Sequence, residues 1–215
     1  MKGIYAWLMK LLISKQLKFE EGDIEILGEN VLMVPVNFFV QATKNAMRDG
    51  KKQIMDLYLA AWRAGFVIVD TFIKNYDLHK YEERYKIAMD VLALAGIGDY
   101  RTVEFVGGKF SHFKVLKNPI PLRFYPSKVV VDHFLRGANA GGGTLVHEKI
   151  VNCVELKCAA INGKECEFIN ATTEILKEKI DSKIIKSQLD LNYLIKEEEK
   201  IIKGFGRKIT RPSSF

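Results

Sequence analysis

The stretch Val151–Ile169, VNCVELKCAAINGKECEFI, holds all three cysteines of the 215-residue chain, together with Glu155 and an Asn162-Gly163 pair suited to a turn. Soft and hard metal ligands are thereby gathered around one reversal of the chain. In a flat strand Glu155 and Cys158 would point to opposite faces and sit roughly 10 Å apart, so they share an ion only if the chain turns or bulges just after Glu155. A two-residue turn at Asn162-Gly163 would pair Ile161 with Lys164 and put Cys158 and Cys166 on opposite faces. A loop of three or five residues returns them to one face. The spacing therefore implies a bulged hairpin if the stretch chelates a metal. The other reading is three reduced, buried cysteines that pack as small hydrophobes. Zinc usually takes four ligands, and two thiolates with one carboxylate leave one place to fill.

Upstream, SKVVVDHFLRGANAGGG (Ser127–Gly143) supplies Asp132 and His133 as candidates for that place. The pattern predicts a helix that opens at Ser127 and carries Asp132, His133 and Phe134. Its glycines do not make a phosphate loop, because no Lys-Ser/Thr follows and no strand precedes. Close helix packing or a helix end accounts for them better.

The run VVVDHFLRGANAGGGTLVHEKIVNCVELKCAAINGKECEFI (Val129–Ile169) resembles the 4-vinyl-reductase domain family. Members of that family start a helix with a Cys-His-Phe-like step, continue through a glycine-containing helix, and follow it with E-x-x-C and a second cysteine in a hairpin. The resemblance implies a zinc site. The family's ligands fall at Asp132, Glu155, Cys158 and Cys166, with an aspartate where the first cysteine usually stands, so the fourth ligand is Asp132, His133 or a water. The match is specific over residues 118–169 and extends more weakly back to Leu57. It further implies an α/β plait with a ligand cavity between sheet and helices, shared with TRAPP transport-complex subunits. Small-molecule-binding or sensory roles and dimers are common in the family.

Elsewhere the chain alternates between helical and strand periods. Gly3–Leu17 carries a helical apolar stripe, and Asp23–Val34 reads as a hairpin turning at Gly28-Glu29-Asn30. Pro35 suits the first turn of a helix that runs to Arg48 and stops at Gly50. Lys52–Lys74 is apolar nearly all round and is expected to be buried on more than one side. Asp77 is expected to cap a helix over Leu78–Ala95, with Glu82, Glu83 and Arg84 in water. RTVEFV and KFSHFKVL make a hairpin across Gly107-Gly108, with His112 and Phe113 on opposite faces, and Asn118-Pro-Ile-Pro reads as an irregular loop. Thr173–Gln188 reads as one solvent-facing helix and Tyr193–Lys203 as another, followed by a basic, mobile Gly206–Phe215.

Helices first, then two hairpins separated by a helix, predict an α+β fold in which helices pack an antiparallel sheet. Three units are expected: residues 1–35 as an N-terminal interaction element, 36–178 as the 4-vinyl-reductase-like domain, and 179–215 as C-terminal helices and tail. A content of 48% hydrophobic and 27% charged residues is that of a globular chain. Three cysteines without a regular framework suggest a reducing, cytoplasmic setting, and no apolar run is long enough to span a bilayer. The net charge of +7 comes from scattered lysines with no recognisable recognition helix, so no nucleic-acid partner is expected. No G-x-G-x-x-G follows a strand to hold a hydride donor. The sequence thus reads as a non-catalytic, homodimeric domain that binds a hydrophobic or aromatic small molecule, is stapled by zinc and reports to a protein partner. Trp62, Phe66, His112 and Phe134 are its pocket candidates. A reductase acting on a vinyl-type group and an assembly or adaptor subunit are the alternatives.

Overall fold

The structure, a computed structural model, describes residues 17–26, 29–206 and 209. The helix expected over Gly3–Leu17 lies outside them apart from Leu17, as do Gly28 and the Gly206–Phe215 tail apart from Gly206 and Ile209.

Leu17–Glu20 (β1), Asp23–Ile26 (β2) and Glu29-Asn30 (β3) form a small antiparallel sheet. The expected hairpin therefore gains a strand: β1 pairs with β2 across Glu21-Gly22, where Gly22 takes a φ of 82° that a side chain would resist. Three helices follow, Val36–Asp49 (α1), Lys51–Tyr76 (α2) and Tyr81–Leu94 (α3). Asp77 does not open α3. It adopts the left-handed conformation that closes α2, and Lys80 becomes the residue before α3, its N–H facing the Glu83 carboxylate. Arg84 is not in water either. Its side chain is 11% exposed, pairs with Glu148 at 2.6 Å and donates to the Leu145 carbonyl.

The main sheet comprises Asp99–Val106 (β4), Phe110–Leu116 (β5), Asn152–Lys157 (β6) and Glu165–Ala171 (β7), antiparallel in the order β4-β5-β7-β6. Between β5 and β6 lie Pro119–Leu122 (α4) and His133–His147 (α5), and a single turn, Ala159–Asn162 (α6), joins β6 to β7. Thr173–Lys179 (α7), Ser182–Gln188 (α8) and Leu191–Gly204 (α9) complete the described chain. This is the α+β arrangement that the order of periods predicts.

Local chemistry explains the departures. Asn118-Pro-Ile-Pro is helical because the Asn118 side chain accepts the Ile120 N–H. The helix over Ser127–His147 starts six residues late, at His133. Ser127 spends its hydroxyl on Val129 two residues on, and three successive β-branched valines favour extended backbone. Thr173–Gln188 breaks in two because Asp181 caps a new helix by accepting the Lys183 N–H at 2.7 Å. Both halves turn inward, burying Leu176 and Ile185.

Helices α2 and α5 lie together over the inner face of the sheet, and three glycines set how closely they approach. A Cβ on Gly141 would stand 1.8 Å from the Trp62 carbonyl oxygen, one on Gly137 2.1 Å from that of Tyr58, and one on Gly65 2.2 Å from that of Ala138. Gly137 and Gly141 are four apart and so share one helix face. Beneath them Trp62 is fully buried and stacks on Phe66 at 5.2 Å, and Phe113 stacks on Phe168 at 5.6 Å. Trp62→Ala is accordingly expected to cost about 3–5 kcal/mol. An unchanged urea midpoint would contradict this packing. Among the described residues no helix is long and apolar enough to cross a membrane.

Candidate functional site

The pleat of β6 and β7 aims a row of unusual side chains at the helices. Cys153 and Glu155 of β6 pair with Asn170 and Phe168 of β7 and share the inner face with them, and Cys166 lies on that face two residues before Phe168. The register then slips between Glu155 and Lys157, so the chain bends directly after Glu155. Cys158 precedes α6, and Gly163, with φ at 70°, returns the chain into β7. The loop is thus a helical turn rather than a two-residue reversal. Glu155, Cys158 and Cys166, all buried, each offer a ligand atom within 4.8 Å of the others.

The scaffold around this group is tied down. The Gln188 amide clamps the Glu155 backbone, accepting its N–H at 2.9 Å and donating to its carbonyl at 2.7 Å, as another strand would on this sheet edge. The Ala159 N–H points at the Cys166 sulfur from 3.3 Å.

Its electrostatics are those of a site rich in anionic ligands. The neighbouring Cys166 thiol, by hydrogen bonding, brings Cys158 down to about 6, and the same contact pushes Cys166 up. Burial, then the Cys158 charge, raises Glu155 well above the usual carboxylate range. The same two causes raise Asp132 to about 8. Arg136, fully buried, opposes these shifts at Asp132 and Glu155. Both Glu155 carboxylate oxygens and Asp132 Oδ1 are buried without a well-aligned protein donor, although the Cys158 side chain lies close to Glu155 and the Leu135 backbone close to Asp132. Two thiols and orphaned carboxylate oxygens are a donor set that a divalent cation satisfies, so the residues fit a metal such as zinc.

Asp132 sits just before α5, near enough to be charge-coupled to Cys158, and accepts a hydrogen bond from Asn118. His133 follows it, with Nδ1 held by Arg136 at 2.6 Å and Nε2 lacking a protein partner. Burial first, then Arg136, lowers His133 to about 3, so it is neutral. Neither belongs to the close group of three.

A second buried imidazole gives a pH prediction. His147 stacks on Phe105 at 5.5 Å with neither nitrogen bonded to protein, and burial, aided by Lys149, lowers it from 6.5 to about 4. The unfolded chain therefore binds this proton at a higher pH than the folded chain. The contribution of this group to stability falls as pH drops from 6.5 to about 4 and falls no further below, a loss on the order of 3 kcal/mol. Urea unfolding at stepped pH should show a shallower acid slope for His147→Leu. An identical slope would contradict the assignment.

A cavity of about 120 Å³ lies between α2, α3, α5 and the inner face of the sheet. Ala64, Ile68 and Ala95 are exposed at its rim, Phe113 forms part of the sheet side, and no charged side chain lines it. Of the four pocket candidates, Phe134 lines this cavity. Trp62 and Phe66 pack in the core outside its lining, and His112 is on the outer face of β5, paired with Glu167 at 2.7 Å. Ser111, Asn139, Asn170 and Tyr85, whose hydroxyl is bonded to Thr102, are the polar residues at the cavity, and none is among the pocket candidates of the sequence. Asn139 carried a signal, being a polar side chain inside the otherwise small and apolar run GANAGGG.

No protein-family model matches the chain, and no curated protein gives a significant match. Solved structures do. The phenol-responsive sensory domain of the transcription activator PoxR, crystallised with phenol, superposes with a TM-score of 0.66 at 11% identity, over 77% of this chain and 89% of that one. The fold is that of this sensory domain. Trafficking protein particle complex subunit 3 from Naegleria fowleri, covalently bound to palmitic acid, gives a TM-score of 0.45 at 13% identity, over 63% of this chain and 91% of that one.

Proposed function

We propose that this chain is a non-catalytic small-molecule-binding domain of sensory type, in which zinc fastens the Glu155–Cys166 hairpin to the start of α5. The observation that carries the reading is the uncharged cavity, open at an apolar rim, built on the same sheet face as the cysteine group. The PoxR domain, of the same fold, was crystallised with phenol, which supports a ligand of that kind here. Glu155, Cys158 and Cys166 would hold the metal, with Asp132 completing the shell. Bound zinc supplies a closed, structural centre in which no position is left for substrate.

Two elements connect metal and cavity. Strand β7 carries Cys166 near one end and Asn170 near the other, and Asp132 lies just before α5, with Asn139 two turns further along that helix. Fixing the metal end of both therefore fixes two walls of the cavity. Native mass spectrometry of the chain purified without added metal is expected to report one zinc per chain and an adduct on addition of phenol. A metal-free mass that phenol leaves unchanged would overturn the proposal.

Leu32, Met33 and Phe38 are largely exposed in and after the β3–α1 connection, which supports an N-terminal interaction face and a homodimer. Light scattering is expected to give twice the chain mass, and 24.5 kDa at micromolar concentration would contradict the dimer.

A further inference from the structure

We propose that the loops at the Cys158 end of the main sheet form a docking surface for an anionic lipid membrane, a property separate from the cavity. Two connections build this end: residues 117–131, which run from β5 through α4 to α5, and α6 with Gly163 between β6 and β7. They pack together. The Ser127 N–H donates to the Ala160 carbonyl at 2.7 Å, and a Cβ on Gly163 would stand 3.1 Å from the Tyr125 ring. Helix α1 joins them by setting the Lys44 ammonium over the Phe124 ring, 5.9 Å from its centre.

Two properties meet on this surface. Leu122, Tyr125, Val129 and Ile161 are 36–56% exposed. Single exposed apolar side chains are ordinary, but a group of them on adjoining loops marks an interaction site. Beside them Lys44, Lys117, Arg123, Lys128 and Lys164 are exposed, and none has an acidic partner among the described residues. The acids of the sheet at this end, Asp99 and Glu165, are already matched by Arg101 and by Lys114 and Lys157. The sequence carries the same bias. From Lys114 to Val131 it has four basic residues and no acidic one.

Chemistry narrows the occupant. A second copy docked on this face about a two-fold axis would bring like cations together. A nucleic acid would match the cations but leave the leucine, valine and isoleucine against phosphate and sugar. A peptide strand finds no open edge at β6, because the Gln188 amide already holds the Glu155 backbone there. An anionic bilayer satisfies both properties at once: its lipid phosphates and carboxylates meet the lysines and arginine, and the apolar side chains enter the boundary between headgroups and acyl chains. Tyr125 suits that boundary, with an apolar ring and a polar tip.

The test is co-sedimentation of the full chain with vesicles of phosphatidylcholine alone and of phosphatidylcholine with phosphatidylserine, at about 0.1 M salt. Binding is expected to the second and not to the first. A cation near an anionic bilayer is worth about fivefold in binding, so the Arg123→Glu, Lys128→Glu double variant is expected to bind at least about twentyfold more weakly. The Val129→Ser, Ile161→Ser double variant is expected to lose at least about tenfold through its apolar contacts. A Lys109→Glu, Lys183→Glu double variant makes the same change of net charge away from these loops and is expected to lose much less. All six side chains are exposed, so unchanged melting temperatures should accompany the three variants. Absence of binding to phosphatidylserine vesicles, or equal losses in the two charge-reversed variants, would overturn the proposal. Binding of soluble polyglutamate but not of vesicles would overturn it in favour of an acidic protein partner.

Discussion

Cys158→Ser and Cys166→Ser are each expected to release the metal and to lower the melting temperature by more than about 10 °C. Structural zinc in small domains contributes apparent free energies of about 10–16 kcal/mol. In a chain of this length each kcal/mol of stability is worth roughly 2–4 °C, so losing about half of that contribution or more produces the shift. The loss has a local cause. Without the metal, Glu155 is a buried carboxyl whose two oxygens have no well-aligned protein donor, on a strand otherwise anchored by Gln188. Cys153 is the internal control. It is equally buried and on the same face, but outside the close group, so Cys153→Ser should keep the metal and cost only the burial of a hydroxyl. Elemental analysis reads the outcome. Full zinc retention in the Cys158→Ser, Cys166→Ser double variant would leave three ordinary core cysteines.

Gly141→Ala is expected to destabilise the fold by about 3 kcal/mol or more, near or beyond the upper end of ordinary overpacking. The added methyl would sit 1.8 Å from the Trp62 carbonyl oxygen and 2.7 Å from its carbon. Both are backbone atoms of a buried helix and have no flexible end to swing away, so α2 and α5 must separate. Gly142→Ala should be milder, since its nearest contact is a Val69 side-chain methyl at 2.9 Å. At Gly204 a Cβ meets nothing within 4 Å, so alanine there should be neutral or stabilise by about 0.5–1 kcal/mol. Urea unfolding of the three variants checks the ranking. A Gly141→Ala chain as stable as the Gly204→Ala chain would show that the helices do not meet at this point.

Much of this was legible in the sequence where the physics is local. Glu155 and Cys158 are three residues apart, so strand geometry alone demands a bend between them if they meet, and the bend is present as a register slip followed by α6. The alternation of KFSHFKVL separates Phe113 from His112, and the structure buries the first while the second pairs with Glu167 on the other face. The glycines of α5 could be recognised as packing residues because a phosphate loop would have needed a lysine that is absent.

What escaped depended on choices between near-equal local options or on tertiary contacts. Asp77 suits a helix start as well as a left-handed close, and the chain uses the second. Ser127 offers a cap that the valines after it cannot follow into a helix. Arg84 looked like a surface charge because nothing nearby in sequence announces Glu148, 64 residues on. Asn139, Asn170 and Ser111 come together only when α5 lies across β5 and β7. No period or spacing in the chain places those three around one cavity.

On the proposed function, the space between α2, α3, α5 and the sheet is a ligand site. Titration of phenol into the metal-loaded chain and into an Ala64→Phe variant tests it most directly. Ala64 is exposed at the cavity rim, so a phenylalanine there should obstruct the entrance at little cost to the fold. Saturable one-to-one binding by the unaltered chain, lost or weakened at least about tenfold in the variant, is the predicted result. No saturable binding, or equal affinity in the two chains, would contradict it.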